Sequence, residues 1–84
     1  MNKFKLEFSH SYGGRSLVGL FENSAETIQE LNEKDFTFFN MIKDFIHELN
    51  PNYKIYYFRH WINKENELVI DVGSHSEFFY VSKV

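Results

Sequence analysis

The sequence predicts an α+β fold: a single antiparallel sheet of about five strands, in the order ββααβββ, with one or two helices packed on one face. Three observations carry this. Residues 3–9 alternate Phe4, Leu6 and Phe8 with Lys3, Lys5 and Glu7, the period of a half-buried strand. Residues 28–49 place Ile28, Leu31, Phe38, Ile42, Phe45 and Leu49 on a stripe of alternating three- and four-residue steps, broken only by Asp35. Residues 53–82 hold three runs rich in aromatic and β-branched types, separated by polar turns. At 84 residues the chain is read as one domain with a modest core. It divides into an N-terminal hairpin (3–21), a helical segment (24–49) and a C-terminal three-strand meander (53–82).

In the hairpin, Gly13-Gly14 marks a two-residue turn, because both central positions need positive φ. Arg15 to Phe21 is the return strand, and Gly19 within it marks a bulge. A glycine pair before Arg15-Ser16 resembles a phosphate-binding loop only in passing. It lacks the lysine-serine end and the helix that such a loop needs, so it is read as a turn. Ser24 is the predicted N-cap of the helical segment, with Glu26 complementing the dipole in its first turn. An unbroken helix over 25–49 would measure about 37 Å. A compact chain of this length has a radius of gyration of only about 12 Å. A break is therefore expected near Glu33–Phe36, with Asp35 capping a second helix. That helix buries Phe38, Phe39, Ile42, Phe45, Ile46 and Leu49 and turns Asn40, Lys43, Asp44 and His47 outward. Asn50-Pro51-Asn52 ends it, since proline disfavours helical geometry in the residue before it.

Tyr53 to Ile62 is read as the third strand, Leu68 to Val72 as the fourth and Glu77 to Val81 as the fifth. A four-residue Gly73-Ser74-His75-Ser76 loop sets Ile70 opposite Phe79 and Leu68 opposite Val81. For the preceding hairpin an odd-length loop pairs Ile62 with Leu68, His60 with Ile70 and Arg59 with Asp71. An even loop would bury Arg59, which costs more than burying a neutral histidine, so the odd loop is preferred. The N-terminal hairpin fits either edge of this meander. Helices on one face leave Tyr57, Trp61, Val69, Phe78 and Tyr80 on the other, flanking Arg59 and Asp71. An aromatic patch of that kind is a dimer or partner surface unless a curled sheet or a loop covers it.

The chain has ten Phe, five Tyr, one Trp and no cysteine, which excludes disulfides and thiolate metal sites and fits a cytoplasmic setting. Met1 leads straight into the first strand with no signal peptide, and no apolar run reaches the ~20 residues that span a bilayer. Net charge is −3, unevenly spread: residues 22–50 carry seven acids against Lys34 and Lys43, a balance of −5. His10, His47, His60 and His75 show no metal-ligand spacing, so neither metal nor cofactor is expected. His47 is placed on the wet face of the helix, and His10 and His75 in turns. Ser74-His75-Ser76 beside Asp71 is superficially hydrolytic, but adjacent residues on one turn point apart, whereas triad members converge. A chain this short rarely encloses a water-excluding pocket. The reading is of a protein that is not an enzyme.

Two binding readings follow. Aromatics on a sheet face beside Lys5, Lys54 and Arg59 are parts that stack bases and hold phosphates of single-stranded nucleic acid. The acidic balance and scattered basic residues weigh against it, so nucleic acid is the alternative. The segment ELVIDVGSHSEFFYV (67–81) resembles the ends of small uncharacterised proteins from phages and mobile elements of Gram-positive bacteria. That resemblance implies a role among small acidic inhibitors of host defence, anti-CRISPR and anti-restriction proteins included. The leading reading is thus a non-catalytic module that binds another protein, with a basic nucleic-acid-binding enzyme as the specific candidate. Glu26, Glu30, Glu33, Asp44 and Glu48 form the candidate acidic face, and Tyr57, Arg59, Trp61 and Tyr80 the candidate aromatic face. A homodimer through the aromatic face is also consistent with the pattern.

Overall fold

The computed structural model describes residues 1–10, 13–74 and 76–84. The elements are β1 (Asn2–Ser9), β2 (Arg15–Asn23), α1 (Ile28–Asn32), α2 (Phe36–Leu49), β3 (Arg59–Ile62), β4 (Leu68–Asp71) and β5 (Phe78–Lys83). The strands form one antiparallel sheet in the order β2-β1-β5-β4-β3. The expected α+β class and element order are both present.

The pairing of β1 with β5 decides the order that the sequence left open. It aligns apolar residues across the strands: Leu6 faces Val81, Val81 faces Leu68, and Leu68 faces Ile62. A second row runs Phe8, Phe79, Ile70, His60. Both rows lie on the helix side, where Phe4, Leu6, Leu31, Ile42, Leu68, Ile70, Val72 and Val81 are wholly buried. Each such side chain contributes roughly 1.5–3 kcal/mol relative to exposure. The odd-loop register is the one observed, with Arg59 opposite Asp71.

Several local expectations are corrected. Gly13 and Gly14 do have positive φ, 88° and 80°. The connection is longer than two residues, however: the last ladder pair is Ser9–Arg15, and the His10 N–H donates to the Gly14 carbonyl. The N-cap of α1 is Thr27, not Ser24. Asn23 Oδ1 accepts from the Ala25 N–H, and Asn2 Nδ2 donates to the Ala25 carbonyl, which ties residues 23–25 to the strands. Helix begins only beyond them. Thr27 Oγ1 accepts from the Glu30 N–H at 3.1 Å, while Glu30 Oε2 accepts from the Glu26 N–H. This is a capping box shifted by one at its return bond.

The break between helices falls where expected, and Asp35 Oδ1 accepts from the Thr37 N–H. Helix α2 buries Phe38, Phe39, Ile42 and Ile46, with Phe45 half-buried. Leu49 departs from the expected stripe: it lies in the last turn of α2 and is 61% exposed. Lys43 is half-buried rather than outward, with Nζ 4.9 Å from the centre of the Phe58 ring.

The third strand is much shorter than Tyr53–Ile62. Residues 53–58 carry no ladder, and the Tyr56 N–H donates to the Val72 carbonyl. The Tyr53 ring packs edge-on against Phe8 and Phe79 at 6.2 and 5.6 Å. That packing, with His47 Nε2 of α2 3.0 Å from the Tyr53 carbonyl, ties the start of the segment to α2 and the β1–β5 rings and not to a ladder partner. The placement of His75 in a turn lies outside the described residues.

His60 faces inward, stacked on Phe39 with ring centres 3.9 Å apart, and its Nδ1 lies 2.7 Å from Asn32 Oδ1. Burial pushes its pKa below the ordinary 6.5. The unfolded chain then binds the extra proton first as pH falls, so stability rises with pH across the interval between the two values. Chemical denaturation at a series of pH values should show full stability above about 6.5 and a decline that starts just below it. A second decline follows near the carboxylate range. A flat profile from pH 7 down to the carboxylate range contradicts this.

Candidate functional site

The helices cover one side of the sheet, and the other carries two arginine-centred clusters. Outward residues follow from the register: Leu17 and Leu20 on β2, Lys5 and Glu7 on β1, Phe78, Tyr80 and Ser82 on β5, Val69 and Asp71 on β4, Arg59 and Trp61 on β3.

In the first cluster Arg15 lies across the sheet with its guanidinium 3.8 Å from the centre of the Tyr80 ring. Both terminal nitrogens donate to the Glu67 carboxylate, Nη2 to Oε1 at 3.1 Å, and Nη1 is 3.7 Å from Glu7. The forked pairing holds the Glu67 carboxyl below its ordinary range, and Arg15 is raised by the same bonds. Lys5 completes the group, 3.8 Å from Glu7.

The second cluster is built on Asp71, a buried acid. Its Oδ1 accepts from the Gly73 N–H at 3.0 Å, and its Oδ2 accepts from Arg59 Nη2 at 2.9 Å and from the Tyr57 hydroxyl at 3.4 Å. The Gly73 bond first, then Arg59, holds the carboxyl below its ordinary range against the opposing effect of burial. The Arg59 guanidinium also lies 4.8 Å from the Tyr57 ring centre. In each pair the arginine is open to solvent, which screens the charges and keeps the net stabilisation small. What they do is fix rings and charges in place.

The register brings Arg59, Trp61 and Tyr80 to one face, and Tyr57, outside the ladder, joins them through its hydroxyl bond to Asp71. Val69 is a correction to the expected exposed patch. Flanked by Trp61 and Tyr80 on the neighbouring strands, it is only 4% exposed. Arg15 shields Tyr80. On the outer sheet face the accessible aromatic surface is at the β3 end, where Tyr57 and Trp61 are 47% and 42% exposed; Phe36 on α2 and Tyr56 are exposed away from it. The acids are less concentrated. Glu26, Glu30 and Glu33 cluster at α1, whereas Asp44 and Glu48 lie roughly 13 Å or more along α2 from its cap. All five are exposed, and Glu30 also serves as a helix cap.

Comparison with protein-family models, with curated proteins and with solved structures finds no match. The geometry of the chain itself is therefore what bears on function.

Sequence reading missed Arg15, Glu7 and Glu67 as one group. Nothing in the sequence signals it, because Arg15 and Glu67 meet only when β1 is laid against β5. The Thr27–Glu30 capping box, by contrast, was legible as a threonine followed three residues later by glutamate. Of the residues considered for hydrolysis, Asp71 is engaged as described and Ser74 Oγ donates to Glu77 at 3.4 Å. Glu77 also accepts from the Tyr53 hydroxyl, and burial, followed by the charge of Glu77, pushes the Tyr53 pKa up to about 12. No helix among the described residues is long and apolar enough to cross a membrane.

Proposed function

We propose that this chain is a non-catalytic protein-interaction module that holds its partner on the β3 end of the outer sheet face. The observation that carries this reading is the pairing of exposed aromatic anchors with internally neutralised charge. Trp61 and Tyr57 stand accessible beside Arg59, whose guanidinium is engaged by Asp71. Tryptophan, tyrosine and arginine are the types enriched at the energetic centres of protein interfaces. A phosphate backbone would have to compete with Asp71 and Glu67 for both arginines, which favours a protein over single-stranded nucleic acid. The finer proposal is that the partner is a basic nucleic-acid-handling enzyme of a host defence system, inhibited by occupation of its surface. It draws on the resemblance of residues 67–81 and on the −5 balance of residues 22–50, which steers the chain toward a basic surface.

Tagged protein captured against a bacterial lysate after nuclease treatment provides the test. Wild type should retain a protein partner, and a Trp61→Ala/Tyr57→Ala variant should bind it at least about tenfold more weakly. Reversing Glu26, Asp44 and Glu48 to lysine spares the Glu30 cap and should weaken capture in a salt-dependent way. Undiminished capture by the aromatic variant sinks the proposal. Recovery of nucleic acid alone, lost on nuclease treatment, places the single-stranded reading first. Trp61 is the chain's one tryptophan, so its fluorescence reports oligonucleotide contact directly.

A further inference from the structure

We infer that β2 is a self-complementary edge on which a second copy of this chain adds antiparallel, joining two five-stranded sheets into one. The inference concerns the opposite end of the outer face from Trp61 and does not depend on the function proposed above.

Strand β2 is an edge nine residues long, with no proline and no lysine to discourage pairing. Its outward backbone groups can be identified from its neighbours. The Lys3 carbonyl accepts from the Val84 N–H, on the side of β1 away from β2. In an antiparallel ladder, bonded and non-bonded pairs alternate. Glu22, opposite Lys3, therefore directs its own N–H and C=O to the free edge, and Leu20 does the same two residues back. From the other end, His10 bonds to Gly14, so Arg15 and Leu17 point to the free edge as well.

A register shift between Leu6 and Glu7 leaves Val18 as an extra residue in β2. In a regular strand, Leu17 and Leu20 would lie on opposite faces. The bulge restores them to the same one. Arg15, Leu17, Leu20 and Glu22 thus share both the outer face and the free edge, and they are symmetric about the Val18–Gly19 bond. A two-fold axis there sets Leu17 opposite Leu20 of the second copy and Arg15 opposite its Glu22, and the converse pairs follow by symmetry. Leu17 and Leu20 are 60% and 50% exposed, and Glu22 is exposed with no ion pair among the described residues. Backbone and apolar complementarity are met together, and Arg15, whose guanidinium lies over Tyr80 and on Glu67, meets the second copy's Glu22 only by leaving Glu67. A foreign strand would have to supply both by chance. The other edge, β3, is only four residues long and has no such symmetry.

Cysteine cross-linking tests the register, since the chain has no cysteine of its own. Residues facing each other in a bonded antiparallel pair have Cα atoms about 5.5 Å apart, within disulfide reach. Mixing Leu17→Cys and Leu20→Cys proteins under oxidising conditions should give a covalent dimer. Either variant alone puts its thiols roughly 10 Å from their equivalents and should not cross-link appreciably. In sedimentation, wild type should shift with rising concentration from 10.1 kDa toward twice that mass. Leu20→Lys should stay monomeric with unchanged circular dichroism, and Trp61→Ala should dimerise like wild type. Wild type remaining at monomer mass at every concentration overturns the inference. So does equal cross-linking by the single variants, or loss of the dimer in Trp61→Ala but not in Leu20→Lys.

Discussion

Phe39→Ala should lower stability by about 3–5 kcal/mol and raise the pKa of His60 toward its ordinary value. Phe39 is buried in α2 and touches three other rings: Phe38 at 4.9 Å, Phe58 at 5.6 Å and His60 at 3.9 Å between centres. It joins the helix to the extended segment that leads into β3, so truncation leaves a cavity that several elements must close together. Domains of ordinary stability have about 5–15 kcal/mol in all, so a loss of this size is a large fraction. The second effect distinguishes this residue from any other core phenylalanine. Burial lowers the His60 pKa, and Phe39 supplies one face of that burial. With the ring gone, folded and unfolded values converge, fewer protons are taken up on unfolding, and the dependence of stability on pH below about 6.5 flattens. Denaturant titrations with an NMR titration of His60 read both quantities. An unchanged His60 titration in the variant would show that Phe39 does not set its environment.

Gly19→Ala should destabilise the fold by about 1–3 kcal/mol although it adds a single methyl. Gly19 sits on the helix side of β2, opposite Leu6, at the bulge. A Cβ built there would lie 2.2 Å from the Phe45 ring, far inside contact distance. The φ of Gly19 is not in the left-handed region, so the cost comes from space and not from backbone strain. That assignment has a consequence. In a Phe45→Ala background the ring is absent and the added methyl meets nothing of it, so the Gly19 penalty should largely vanish. A double-mutant cycle measures this as a coupling close in size to the single-site loss. Additive losses would refute the close-approach account. Because Gly19 also adjoins the proposed two-fold axis, thermal or denaturant stability must be compared at fixed protein concentration.

The element order, the β3–β4 and β4–β5 registers and the helix break were legible because each is a short-range pattern. Phe4, Leu6 and Phe8 alternate; Leu68 and Ile70 have one register with Phe79 and Val81 that keeps them on a common face; Asp35 interrupts an otherwise continuous stripe. Where the reading went astray, a distant contact outweighed local preference. Ser24 is a good cap by type, but Asn2 and Asn23 hold the following Ala25 out of the helix. Tyr53 to Phe58 has strand composition, but the Tyr53 ring finds Phe8 and Phe79 instead of a ladder partner.

The candidate site divides in the same way. Period-two alternation put Arg59, Trp61 and Tyr80 on one face, and the favourable Arg59–Asp71 pair came with the preferred loop length; Tyr57, expected there as part of a longer strand, reaches that face from outside the ladder by its bond to Asp71. Sequence could not show which of these rings stay accessible. That is decided by β1 lying against β5, which brings Arg15 from one hairpin over Tyr80 of the other and anchors it on Glu67. It is decided as well by the cross-strand neighbours that bury Val69. Local pattern specifies which side of a strand a residue occupies, because the backbone period is two. What covers that side depends on the order of strands, which is set by long-range apolar pairing that no local window contains.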